Sequence, residues 1–516
     1  MLRKLLAAPR WHLPLLVGLC LLLYWFNLGA SGFAASEGHR VIPGWTMLET
    51  GNWLKIELFG QTYLRKPPGM PWAVAASAFF FGESEFSARA VSAFSATLGV
   101  LLSYLFASRW FGKPWGLAAG VTHVLMPLLF EPARAAEIEA LNNLGTQLAA
   151  FFLIDLLIWM PTEWRRPTTS NIALSANHLA RCAAAALGIV IAVLAKGPAG
   201  AHVLIAVVGA SCVVARSTRP LVRPGLWISL VLAAAVVAPI ALAVLRANSD
   251  NPAITQSPVA FLWERHRLLG IATLAPAAFI AALPASLWLL FPWGSDARAE
   301  GRGSDQPRFR VARALGFAWV ISIAILVISG VSNPRYAMPA AALLPSLAAY
   351  VACGCATSDF TPTRRRIARL MCLTTPLQAA VLLLLGLLTW GLYKDDLRDS
   401  RGGSLHGQAL AHTIKSNAII WADDLIEARP DILLGAQHRA RLDGIRITPL
   451  WKKAEMLRAE LPPPGALIAL RTDAGSTEHE RYAHHLAAGR LELIYTTRVS
   501  DILSFRTYRA LEPASP

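Results

Sequence analysis

Glu37, His39 and Arg40 stand a few residues beyond an apolar run, and Lys66 opens a Lys-Pro-Pro sequence about thirty residues later. A carboxylate in such a place can take a proton, and a lysine or arginine can hold an anion. An acid just past a membrane segment, with a cation where the chain re-enters the interface, puts a base and a positive charge at the level of lipid headgroups. Read singly, Glu37 is a solvated loop acid and Lys66 a snorkelling lysine. Further along, Glu139, Asn142 or Asn143, and Thr146 recur at i, i+3 or i+4, and i+7, so they share one helix face. A polar stripe in a lipid-spanning helix must face protein or a watery cavity, although a packing glutamate or a partner of the helix dipole fits the same spacing. Glu137, two residues before Glu139, points elsewhere.

The elements that must carry these groups are apolar spans. Of 516 residues 55% are hydrophobic and 16% charged, a composition foreign to soluble globular chains. The formal charge of +16 would suit nucleic acid only if gathered on one soluble face; here it lies mainly in short loops, so no nucleic-acid partner is expected. Twelve apolar stretches can be marked: 13–28, 69–82, 86–107, 114–131, 138–160, 179–195, 198–215, 224–246, 268–291, 311–331, 335–356 and 372–393. A span needs about 20 residues. The stretch 69–82 is shorter, follows Pro67 and Pro68 and contains Pro71, so it is expected along the interface. With it excluded, the cytoplasmic segments hold 18 Lys plus Arg against five acids, as the positive-inside rule requires. The expectation is an all-α polytopic membrane domain over 1–393 with about 11 transmembrane helices, an odd count up to 13, plus interfacial helices. Its N-terminus is cytoplasmic and uncleaved, and its first outward loop is 29–85.

The residues after 393 change composition: Pro462 to Pro464 break a charged stretch in which apolar runs (418–421, 466–470, 491–495) alternate with helix-like ones (451–460, 478–488). That pattern reads as a small α/β extracytoplasmic domain over 394–516, a lid or acceptor-side module. Cys20, Cys182, Cys212, Cys353 and Cys372 sit in or beside apolar runs and behave as small hydrophobes, and Cys353 with Cys355 lacks the second pair or histidine that a metal site needs. Trp263-Glu264-Arg265-His266 on another outward loop suits sugar binding or an interfacial belt.

The first loop resembles that of the bacterial aminoarabinose transferases and their protein O-mannosyltransferase relatives in the GT-C glycosyltransferase superfamily. It keeps Glu37, Met47, Leu48, Gly51, Trp53, Tyr63, Lys66, Pro67 and Pro68 of that pattern. Gly82 to Arg89, Leu194-Ala195-Lys196-Gly197-Pro198 and Pro334-Arg335-Tyr336-Ala337-Met338-Pro339 resemble three later motifs in order, and Arg134 to Glu139 resembles a fourth that ends in an acid. At Ser36 the family usually has its catalytic aspartate, so either Glu37 has taken over as base, or the acceptor chemistry is altered, or this member is inactive.

The resemblance implies a sugar taken from a polyprenyl (undecaprenyl) phosphate carrier, with inversion, and passed to an envelope acceptor such as lipid A or another glycan. Glu37 and then Glu139 are the expected catalytic acids. Lys66, Lys196, Arg335, Tyr336, His39, Arg40 and Arg89 are the expected groups for substrate and lipid phosphate. No cofactor is fixed: oligosaccharyl relatives use divalent ions and mannosyl relatives need none. Lipid or glycan acceptor and membrane lipids are the expected partners of a monomer in the bacterial inner membrane. The rival is a transporter or flippase of lipid-linked sugars, which calls for repeat symmetry and midplane charges.

Overall fold

The computed structural model describes residues 9–158, 176–249, 307–356 without 332, and 403–512 without 415, 474, 475, 501 and 502, with short pieces between 274 and 286 and isolated positions from 366 to 384. The tetrad at 263–266 lies outside the described residues.

Helix α1 (His12–Cys20), loosening into a π-type stretch to Trp25, is followed by the loop helix α2 (Gly38–Thr50), a two-stranded hairpin of β1 (Glu57–Leu58) and β2 (Gln61–Thr62), and α3 (Gly69–Phe81). At about 1.5 Å per residue the 13 residues of α3 fall short of a hydrocarbon core, and Phe79, Phe80 and Phe81 at its end are largely exposed. The helix is as short as the stretch at 69–82 predicts. Then come α4 (Glu85–Phe111), α5 (Lys113–Val124), α6 (Pro127–Ala133), α7 (Ile138–Ile158), α8 (Ala176–Lys196), α9 (Ala201–Ala215), α10 (Pro224–Ala247), α11 (Pro307–Ile328) and α12 (Leu344–Ala356).

Among the described residues, five helical stretches are long and apolar enough to cross a membrane, or six if the pair α5 and α6, bent by 66°, counts as one span. The stretch 176–215 counts as one of the five, yet the chain reverses direction within it. Lys196 pairs with Glu139 at one end of α7, whereas a Cβ on Gly225 would touch both Leu156 at the other end and His178 at the start of α8. The chain therefore goes out and returns between 178 and 225. It turns at Gly197, whose φ of +67° favours glycine. The protein is multi-pass.

Helices α7 and α8 pack through small residues: a Cβ on Gly145 would meet the Ala192 backbone, and one on Gly188 the Ala149 backbone. Small residues let backbones approach where lipid gives no hydrophobic drive. That close approach sets Glu139 against Lys196.

The C-terminal part is the α/β domain read from its sequence. Helices α13 (Gly403–Thr413), α14 (Asp424–Ala428) and α15 (Pro430–Leu442) accompany β3 (Ala418–Ala422), β4 (Ile447–Trp451), β5 (Leu467–Arg471), β6 (Leu491–Ser500) and β7 (Leu503–Ala510). The sheet order is β4-β3-β5-β7-β6; β3 is parallel to β4 and β5, and β7 antiparallel to β5 and β6. Strands β4 and β7 and helices α13, α14 and α15 are not among the runs that composition marks. The domain shares one core with the first loop, in which Val41, Trp45, Leu58 and Tyr63 join Leu410, Ile432, Trp451 and Phe505.

Candidate functional site

The start of α7, the end of α8, the loop around Lys66 and the turn Pro334–Ala337 meet at one place. Gly69 lies so close to α8 that a Cβ would come within 2.5 Å of the Leu194 carbonyl oxygen, and Gly197 lies against Pro67. These two approaches hold Lys66 near Lys196. Lys196 Nζ is 3.0 Å from Glu139 Oε1 and 4.5 Å from the centre of the Tyr336 ring. Burial, then the charges of Arg40 and Lys196, hold the Lys66 ammonium below its ordinary pKa. Arg335 and Arg40 both bear electrostatically on Glu139.

This is a cationic cluster short of counter-charge. Lys66, Arg40 and Arg335 make no ion pair among the described residues, and the buried Nε of Arg40 has no hydrogen-bond partner there. The second oxygen of Glu139, Oε2, is likewise buried and unpartnered. Buried polar groups are otherwise nearly all satisfied in native proteins, so this concentration of unsatisfied ones leaves capacity for water, an ion or a ligand. The stripe below Glu139 is buried in protein as its spacing requires, with Asn142 Oδ1, both amide atoms of Asn143 and Thr146 Oγ1 also unpartnered.

Glu37 is placed differently from what its position in the sequence suggests. Arg89 clasps it in a fork, Nε to Oε1 and Nη2 to Oε2 at 2.8 Å each. The amides of Ala136 and Ala34 add a bond to each oxygen, also at 2.8 Å. Burial alone would raise this carboxyl, but the Arg89 charge and the hydrogen bonds outweigh it and hold the group below its usual range. All four acceptor directions are filled, so the carboxylate has no room for a substrate proton. Arg89 donates its remaining hydrogens to the carbonyls of Leu28, Ser31 and Gly32 and to Ser31 Oγ. It has no donor left for a phosphate. The pair ties the end of the α1 connection, α2 and the approach to α7 together. Arg134 adds to that frame by donating to the Leu23 and Phe26 carbonyls at the end of the first helix.

His39 also faces away from the cluster. Its Nε2 donates to the Glu427 carbonyl at 3.0 Å, and its ring stacks on Tyr63 at 5.4 Å. Burial and the charge of Arg40 push it down to about 4, so it is neutral. It joins α2 to the C-terminal domain, as does the ion pair of Arg65 with Glu427 one residue before Lys66.

Glu137 is the residue that spacing missed. It is buried, and Ser36 Oγ donates to its Oε1. Burial and the neighbouring charge of Glu139 raise its carboxyl above the usual range. Its backbone precedes the first turn of α7, with its amide donating to the Ala135 carbonyl, so the helical rule that sends i and i+2 to different faces does not reach it. The signal available in the sequence was Ser36: a short hydroxyl where the family pattern has an acid calls for a carboxylate from elsewhere. A separate cavity of about 290 Å³ opens between Gly29 to Phe33, Trp45 and helix α15; it does not include the cationic cluster.

No protein-family model matches the chain. Over 108 residues it is 36% identical to undecaprenyl phosphate-alpha-4-amino-4-deoxy-L-arabinose arabinosyl transferase 2 of Pseudomonas fluorescens (strain Pf0-1), covering 21% of this chain and 20% of that one. Over 101 residues it is 37% identical to the arabinosyl transferase of the same description from Pseudomonas savastanoi pv. phaseolicola, covering 19% of each. The chain thus spans about a fifth of the length of the curated relatives it matches. The crystal structure of ArnT from Cupriavidus metallidurans in the apo state superposes with a TM-score of 0.64 at 17% identity, over 99% of this chain and 100% of that one. The structure of the same protein bound to undecaprenyl phosphate gives 0.63 at 17% identity. The chain therefore resembles the arabinosyl transferases over a local stretch of sequence and ArnT in whole-chain fold.

Proposed function

We propose that the protein is an inner-membrane glycosyltransferase that takes a sugar from an undecaprenyl-phosphate carrier and passes it, with inversion, to an envelope acceptor such as lipid A or another glycan on the periplasmic side. The observation that carries this reading is the cationic cluster: Lys66 repelled by Arg40 and Lys196, with unpaired charge at the rim of helices long enough to span a bilayer. Like charges held together are relieved by an anion, and a lipid phosphate arrives at that depth already anchored. The fold shared with ArnT, and the relatives' action on undecaprenyl phosphate-linked aminoarabinose in their names, support the same choice.

In this reading the acceptor hydroxyl or amine attacks the anomeric carbon and the carbon–oxygen bond to phosphate breaks. The electron pair leaves with the phosphate oxygen, and the acceptor proton goes to a carboxylate. Lys66, Lys196 and Arg335 stabilise the charge growing on phosphate, where preorganised cations cost no reorganisation. Arg335 suits the phosphate as a planar fork, with Tyr336 beside it as a hydroxyl donor and Arg40 as a further charge. Glu137 is the proton acceptor, its raised carboxyl being nearer the working pH than a fully ionised acid; Ser36 aims it. Glu139 orients Lys196. Glu37, Arg89 and His39 hold the frame. Residues 1–393 form the catalytic membrane domain and 394–516 the periplasmic domain, with the N-terminus in the cytoplasm and the protein acting as a monomer.

The test is transfer of labelled sugar from polyprenyl-phosphate donors to envelope lipids by the purified protein in lipid nanodiscs. Transfer that falls at least a hundredfold in Lys66→Ala supports the reading. Folded protein inert toward every donor, or Glu137→Gln and Lys66→Ala as active as the parent, overturns it.

A further inference from the structure

Within the C-terminal domain, three carboxylates outside the cationic cluster converge. Asp423 and Asp424 follow directly on β3, and Glu478 follows β5; one oxygen from each lies within 4.8 Å of those of the other two. Strand β3 leads to β4 on one side of it, while β5 stands on its other side and leads away toward β6 and β7. The three acids thus sit beyond the carboxyl ends of two adjacent parallel strands whose connections leave in opposite directions, the crevice where open α/β sheets bind ligands.

The most buried of the three is also incomplete. Glu478 is 2% exposed. One of its oxygens accepts from the Arg471 amide at 2.6 Å, and the other, Oε1, has no hydrogen-bond partner among the described residues. Asp423, 4% exposed, accepts from Trp451 Nε1 at 2.8 Å through Oδ1, with Lys453 at 3.9 Å. Asp424 accepts from Ser476 Oγ at 3.3 Å, with Arg471 at 3.9 Å. Neither cation is in close contact with the acids: Arg471 is turned to Asp473, its Nε 2.6 Å from Oδ1. Two buried carboxylates and a half-buried third are left facing one another.

We propose that Asp423, Asp424 and Glu478 bind a hard divalent cation, calcium in preference to magnesium. All three donors are oxygens, which excludes softer metals from preference. Oxygens on opposite sides of a calcium ion stand about 4.8 Å apart, twice a bond of about 2.4 Å, and the three here lie within 4.8 Å of one another. Magnesium dehydrates reluctantly and is usually held by only one or two carboxylates, whereas the flexible shell of calcium takes several. The site does not depend on the proposed transfer reaction.

Trp451 gives a direct readout, because its indole is bonded to one ligand. The full-length protein in nanodiscs is titrated with terbium while tryptophan is excited, and calcium or magnesium is then added in competition. Saturable one-to-one emission, displaced by calcium at concentrations at least tenfold below magnesium, is the expected result. Glu478→Gln and Asp424→Asn should each weaken binding at least tenfold. Glu478→Gln relieves repulsion, so it should melt no lower than the parent without metal yet lose the calcium-induced rise in Tm. Emission that is equal in parent and variants, the absence of any calcium-dependent change in Tm, or magnesium binding as tightly as calcium overturns the proposal.

Discussion

Two acid–cation pairs at the mouth of the membrane domain use the same chemistry to opposite ends. Glu37 and Arg89 make a fork in which every acceptor direction of the carboxylate is filled. Glu139 and Lys196 make a single contact at 3.0 Å, leave one carboxylate oxygen bare, and sit among cations in excess. A complete set of hydrogen bonds fixes geometry and admits nothing more. An incomplete one is stable only because the surrounding helices enforce it, and it leaves capacity for a ligand. Saturation, rather than residue type or motif position, separates frame from site here.

The sharpest way to break this contrast is at the frame. Arg89→Met strands Glu37 as an unpaired buried charge, and removing one partner of a buried pair costs about 3–5 kcal/mol; thermal unfolding in detergent should show a large fall in Tm and a low yield of folded protein. A mild effect would mean that the fork is not structural. Lys66→Ala should behave oppositely. Loss of one preorganised charge costs about 10²–10³ in rate, while Tm stays the same or rises because a repelled ammonium is gone.

Between these lies Glu137. Its folded pKa is raised, so the native state holds the proton more tightly than the unfolded chain. Stability on this account falls as pH climbs from the ordinary carboxylate value through the raised one, whereas transfer rises over the same interval as the base ionises. Glu137→Gln should abolish the rising limb of the pH–rate profile and leave Tm flat across it; a limb that survives assigns the base elsewhere. The smallest effect is expected at Arg441, 68% exposed and 3.3 and 3.4 Å from Glu49 and Glu83. An exposed pair is worth less than about 1 kcal/mol, so Arg441→Ala should shift Tm marginally and transfer not at all.

Sequence patterns reached the parts governed by local rules. The polar stripe on α7 follows from helical periodicity, the shortness of α3 from span length, and the α/β character of the C-terminal domain from its alternating runs. The convergence of Lys66, Lys196, Arg335 and Tyr336 came through their motifs, which carry information about one another that no single stretch contains. What escaped depends on long-range partners. The saturation of Glu37 needs Arg89, 52 residues on, and the Ala136 amide, 99 residues on; nothing near Glu37 announces them. Glu137 escaped because it stands just outside the helix whose period was used to orient it. Strand β7 escaped because its antiparallel place between β5 and β6 is fixed by partners, not by its own composition.

The bond from His39 to the Glu427 carbonyl joins positions 388 residues apart, and the Arg65–Glu427 pair joins positions 362 apart. During synthesis the loop bearing Lys66 therefore lacks two of its contacts until Glu427 has emerged. Contacts of such separation form late. A nascent chain stopped short of Glu427 would insert its helices yet lack a finished mouth, which couples competence to completion of the polypeptide.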